Sequence, residues 1–156
     1  MAEIQFYHLS STPLERALPR LLEKALQGGL RAVVLTGSEE KAEWLSTMLW
    51  TYDPASFLPH GTEKDGYAEA QPVFITATAQ NPNGAGLLVV TDGSEIEFSE
   101  SVARVLDLCD GSDAQAVEKA QLRAGKYRAA GHRVVINRQN ASGGWEKQAL
   151  AAEAAA

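Results

Sequence analysis

Between residues 112 and 131 the chain reads SDAQAVEKAQLRAGKYRAAG, with Lys119, Arg123 and Lys126 at i, i+4 and i+7. On a helix that spacing lines up three cations on one narrow stripe. Val117, Ala120 and Ala124 fall on another face, suited to packing on a sheet, and Tyr127 stands between the two, followed by Arg128. The small residues Ala124 and Gly125 leave room for a shallow recess beside the ring. Cations next to an amphipathic ring fit a peptide with an acidic run and an apolar end. The acids supply steering and salt sensitivity, and the apolar end supplies most of the contact energy. The bland alternative, a core tyrosine beside solvated lysines, has equal standing on composition. Single-stranded nucleic acid, which also wants cations and rings, is a third reading.

A second concentration of chemistry lies in LWTYDPASFLPHGTEKDGYAE, residues 49–69, which holds Trp50, Tyr52, Phe57 and Tyr67 out of 4 Phe, 3 Trp and 4 Tyr in the whole chain. Pro54, Pro59, Gly61 and Gly66 exclude one continuous helix or strand. Rings held in a loop either anchor a protein interface or plug a sheet edge.

Catalytic constellations are absent. LTGSEEKAEW places Gly37 between a strand and a helix but lacks the GxxxxGK[ST] spacing that wraps a phosphate. No GxGxxG follows the first strand, so a dinucleotide site is unsupported. His8, His60 and His132 are scattered without metal-ligand spacing, and His60 in FLPHG has no evident nucleophile or orienting partner. Asp92 follows LLVVT, where α/β enzymes often carry a carboxylate, yet alone before Gly93 it reads as a turn former. The expectation is a protein without an active site, metal or cofactor; a small α/β nucleotide-binding protein or enzyme using Asp92 is the alternative.

The bulk numbers agree with a binding protein. A length of 156 residues suits one domain with a sizeable core. The net charge of −6 argues against broad binding to nucleic acid. The charge is unevenly spread: residues 114–138 carry six cations against Glu118 alone, leaving the remainder strongly acidic. An acidic body with one basic element points to a selective anionic partner. The lone Cys109 cannot form an internal disulfide and reads as a small apolar filler, which suits a reducing cytoplasm. MAEIQFYHL lacks a basic n-region, and no apolar run reaches membrane-spanning length.

The elements that must position these residues alternate. EIQFYHL (3–9) reads as a strand; Ser10, Ser11, Thr12 and Pro13 open a helix, which Pro19 should disturb and Gly28 with Gly29 should end. LRAVVLTG (30–37) is a buried strand, and Ser38 opens a second helix with Trp44, Leu45, Met48 and Leu49 as its apolar stripe. Strands follow at Phe57–Leu58, 72–78 and 87–93, with the turn AQNPNGAG before the last; 101–110 is favoured as strand over helix. The 112–131 helix begins at Ser-Asp and stops at Gly131, and HRVVINRQ (132–139) is the final strand. The pattern predicts a three-layer α/β domain over residues 1–147, its sheet mixed but mostly parallel with helices on both faces. Residues 148–156 read as an alanine-rich tail, helical or frayed.

Several short pieces coincide in order and spacing: FYHL (6–9), LW (49–50), SFLPHG (56–61), QPVFIT (71–76), NPNGA (81–85), VLDLCDG (105–111), YRAAGH (127–132) and Trp145. In this the chain resembles the chi subunit family of bacterial DNA polymerase III, the clamp-loader accessory proteins, from about residue 3 to 147; NPNGA looks like the alphaproteobacterial branch. The resemblance implies a nucleotide-binding-like fold without the phosphate loop, no catalysis of its own, and a place in DNA replication. It implies partners as well: the psi subunit or another clamp-loader component, and the acidic C-terminal tail of single-stranded DNA-binding protein, with DNA contacted mainly indirectly. The family's tail pocket uses basic residues and an aromatic on the late helix near the tryptophan matching Trp50. At equal spacing from YRAAG those positions fall on Val117, Gln121, Ala124 and Gly125, where this chain departs. Lys119, Arg123, Lys126, Tyr127 and Arg128 are then the expected tail-binding residues, slightly displaced, with Trp50. The segment Phe57, Leu58, Pro59 and His60 matches the family surface facing psi and helicase-like partners.

Overall fold

The computed structural model describes residues 2–52, 58–78, 80–93, 102–140 and 142–150. Eight strands form one sheet in the order β3-β4-β2-β5-β6-β1-β7-β8. They are β1 (Glu3–Leu9), β2 (Ala32–Leu35), β3 (Gly61–Thr62), β4 (Val73–Thr76), β5 (Leu87–Val90), β6 (Arg104–Asp110), β7 (Arg133–Gln139) and β8 (Trp145–Leu150). Among the described residues there are three α-helices: α1 (Leu14–Gln27), α2 (Glu39–Thr51) and α3 (Ala114–Ala129). All pairings are parallel except β7 with β8. The sheet is therefore mixed, as expected, but the strands between 57 and 91 all run parallel and the reversal comes at β8.

Two faces of the sheet carry two cores. Leu18 and Leu22 of α1 and Leu45 and Leu49 of α2 pack on Val34, Ile75, Val89 and Leu108. On the other face Ala120, Ala124 and Tyr127 of α3 pack on Ile4, Phe6, Val105 and Ile136. The short central strands β2 and β4 are buried throughout, which is what coverage of both faces requires. From β1 the chain crosses by α1 towards β2; from the neighbouring β6 it crosses by α3 towards β7. Parallel crossovers share one hand, so opposite directions demand opposite faces. The gap between the C-terminal ends of β1 and β6 is thus the topological switch point of the sheet.

Local expectations are modified in four places. Pro19 lies buried inside α1 without ending it; it removes a single donor, and the packing of Leu18 and Leu22 carries the helix past it. Trp44 is exposed rather than part of the apolar stripe of α2. The strand expected at Phe57–Leu58 lies instead at Gly61–Thr62, paired with Phe74 and Ile75; Phe57 is outside the described residues. Residues 148–150 of the alanine-rich segment are neither helical nor frayed but pair with Ile136, Val135 and Val134. An open edge on β7 offers hydrogen bonds that override the helix preference of alanine.

Candidate functional site on helix α3

Asp113 caps α3, accepting from the backbone N–H groups of Gln115 and Ala116 at 3.0 and 3.3 Å. The helix buries Ala120, Arg123, Ala124 and Tyr127, spaced i, i+3, i+4 and i+7. Arg123 therefore sits in the packed stripe. It is 5% exposed and grips Asp107 of β6 with Nε to Oδ2 at 2.9 Å and Nη2 to Oδ1 at 3.0 Å. Its guanidinium lies 6.0 Å from the Phe6 ring centroid. Burial pushes the Asp107 carboxyl above its usual range, and the Arg123 fork offsets only part of that rise.

This corrects the three-cation stripe. A wheel puts Arg123 about 40° from Lys119 and about 60° from Ala120, so it belongs to either face. The carboxylate inside the apolar strand decides: an unpaired charge there would be far costlier than an inward-turned arginine. Tyr127 is corrected likewise. It is 4% exposed and stacked on Phe6 at 6.2 Å, so its ring belongs to the core rather than to a surface recess. Ala124 is buried under the helix, and only Gly125 faces open space.

The outer face of α3 carries Lys119, Leu122 and Lys126, at i, i+3 and i+7, with Gln115, Glu118 and Gln121 also exposed. Leu122 is 70% exposed, the least covered aliphatic side chain among the large exposed hydrophobic residues. Leucine is among the residues most often buried, so nothing in the sequence marks Leu122 as a surface side chain. Arg128 is half-buried further along α3. Trp50 belongs to α2, which covers the opposite face of the sheet, so the fold sets it apart from the α3 lysines.

Trp50 forms a second exposed feature. It is 58% exposed and its ring lies 4.5 Å from the His60 ring. His60 is buried, with Nδ1 2.7 Å from the Leu58 carbonyl oxygen and Nε2 2.9 Å from that of Ser46. Leu58 is buried in the α1/α2 core and Pro59 is half-buried. Of the predicted interface segment, Leu58 and His60 thus turn inward, where one fills the core and the other ties the loop to α2. The surface they support is the Trp50 indole.

The remaining chemical candidates are committed to structure. Asp92 accepts from the Gly37 N–H at 2.6 Å and from Thr91 Oγ1 at 3.2 Å, and pairs with Lys41. His8 is buried and held below its usual pKa, first by desolvation and then by Arg138 and Arg123. Burial, reinforced by Asp107, pushes the Cys109 thiol up to about 12, which makes it a poor nucleophile. Among the described residues no group of His, Cys, Asp and Glu is arranged to hold a metal ion. No helix there is long and apolar enough to cross a membrane.

The site thus sits on a mostly parallel sheet with α3 on one face, α1 and α2 on the other, and no phosphate loop. The family model described as DNA polymerase III chi subunit, HolC, matches residues 1–135. The chain belongs to this family. It is similar to a probable DNA polymerase III subunit chi from Rickettsia prowazekii (strain Madrid E), an alphaproteobacterium. The two are 29% identical over 154 residues, covering 94% of this chain and 92% of the relative. Membership in the chi family makes the protein an accessory subunit of DNA polymerase III with a part in DNA replication.

Proposed function

We propose that this chi-family subunit is a non-catalytic adaptor that links the clamp loader to single-stranded DNA-binding protein by holding that protein's acidic C-terminal tail. The observation carrying this reading is the exposed Lys119–Leu122–Lys126 face of α3. An apolar side chain between two cations complements a peptide whose acidic run ends in an apolar residue. Leu122 supplies the contact, and Lys119 and Lys126 supply attraction that weakens with salt. The Trp50 surface, backed by His60, is a separate docking face for a psi-like or helicase-like partner. A large exposed ring on a rigid support suits the centre of an interface.

Calorimetry with a peptide ending in acids and phenylalanine tests the first half. Saturable binding that weakens with salt and with Leu122→Ser supports it; flat titrations at low salt remove it. A second reading, a nucleotide-binding protein, draws on a crevice of about 770 Å³ at the strand ends beside Asp92. A nucleotide that raises the melting temperature, with the effect abolished by Asp92→Ala, would favour that reading instead.

A further inference from the structure

The crevice lies at the switch point between β1 and β6, where open α/β sheets hold their ligands. Phosphate groups at such points are bound by backbone N–H groups in the loops leading into helices. In this chain each of the three loops has donors engaged by an oxygen of the chain itself. Before α2, Ser38 Oγ accepts from Lys41 N–H at 3.1 Å and Asp92 accepts from Gly37 N–H. Before α3, Asp110 accepts from Ser112 N–H at 2.9 Å, and Asp113 caps the first turn. Those acceptors are local side chains or a carboxylate of the adjoining strand end.

The loop between β1 and α1 differs. The consecutive N–H groups of Ser10, Ser11 and Thr12 converge on one atom, Gln139 Oε1, at 3.2, 3.0 and 2.9 Å. Gln139 comes from the far end of the chain, at the end of β7 opposite Trp145 of β8. Its Nε2 donates to Thr12 Oγ1 at 2.7 Å, and Ser10 Oγ donates to its main-chain oxygen at 2.7 Å. Three successive amides aimed at a single oxygen make the concave nest that ordinarily receives an anion. Here a neutral carboxamide oxygen stands in for the anion's oxygen.

We propose that Gln139 is an internal ligand: its side chain fills an oxyanion nest in the β1–α1 loop, on the β7 side of β1, closes that nest to phosphate groups, and fastens the β7–β8 hairpin to the β1–α1 loop. The fold keeps the loop conformation of an anion-binding site without the ligand. The nest becomes available to an oxyanion once the side chain is shortened. Ser10 and Ser11 are exposed and Gln139 is half-buried, so a small anion has access as soon as the amide is gone.

The full chain and two variants, Gln139→Ala and Gln139→Glu, test this by amide NMR during titration with inorganic phosphate at constant ionic strength. In the native protein the amides of Ser10, Ser11 and Thr12 are expected to stay still. In Gln139→Ala the same three amides shift together and saturate, and the urea midpoint, lowered by the substitution, recovers with phosphate. In Gln139→Glu the three amides move with titration of the introduced carboxylate and ignore phosphate. The proposal is overturned if the native amides respond as those of Gln139→Ala do, or if Gln139→Ala shows no response at residues 10–12. Should Gln139→Ala fail to fold, Gln139→Glu decides alone: three amides that do not follow the carboxylate's titration overturn it.

Discussion

Arg123 of α3 and Asp107 of β6 form a buried, two-pronged ion pair that joins the last long helix to the middle of the sheet. The arginine that sequence pattern placed among surface cations is thus a packing element, and its removal should report on folding rather than on ligand affinity. Arg123→Ala leaves Asp107, 1% exposed, without a counter-charge. A loss of about 3–5 kcal/mol of stability is expected in urea unfolding. Asp107→Leu combined with Arg123→Leu should recover much of that loss. An Arg123→Ala variant of native stability would refute the pairing.

Leu122 gives the opposite signature. Because the side chain is largely in solvent, Leu122→Ser should change stability by no more than about 0.5 kcal/mol. If the residue anchors the apolar end of an acidic peptide, affinity should fall about tenfold, equivalent to roughly 1.4 kcal/mol. Lys119→Ala should act mainly on the association rate and lose its effect at high salt. Equal affinities for the native and Leu122→Ser proteins in titration calorimetry would remove this face from the tail-binding model.

Trp50 and the α3 face occupy opposite sides of the sheet and should fail independently. Trp50→Ala is expected to leave acidic-peptide binding intact while reducing co-purification with a psi-like or helicase-like partner. Loss of both activities from this one substitution, with the fold retained, would mean that the two faces are not separate.

The pH dependence of stability should carry the mark of His8. Burial holds its imidazole neutral and its folded pKa below 6.5. As pH falls through the unfolded value, the unfolded chain takes up a proton that the folded chain refuses. Stability is therefore full above about pH 6.5 and declines below it. His132, shifted in the same direction, adds to the slope. Urea midpoints between pH 5 and 8 should follow this course, and His8→Leu should flatten it. An unchanged slope in that variant would assign the dependence to other groups.

Alternation of apolar runs with capped helical segments was enough to determine a three-layer α/β sheet, because strands covered on both faces and helices covered on one leave distinct apolar periods. The order of short motifs was enough to indicate the chi family. Cap residues such as Ser38 and Asp113 were legible too, since capping acts within one turn of chain. Neighbours distant in the chain were not legible. Only the tertiary structure set Asp107 beneath Arg123, Phe6 beneath Tyr127, and Gln139 against Ser10, Ser11 and Thr12. Only pairing with β7 turned the start of an alanine-rich segment into a strand. Sequence spacing fixes which residues share a helix face, but whether that face meets water or a buried carboxylate depends on the strand packed beneath it, and the strand's identity is a long-range property of the fold.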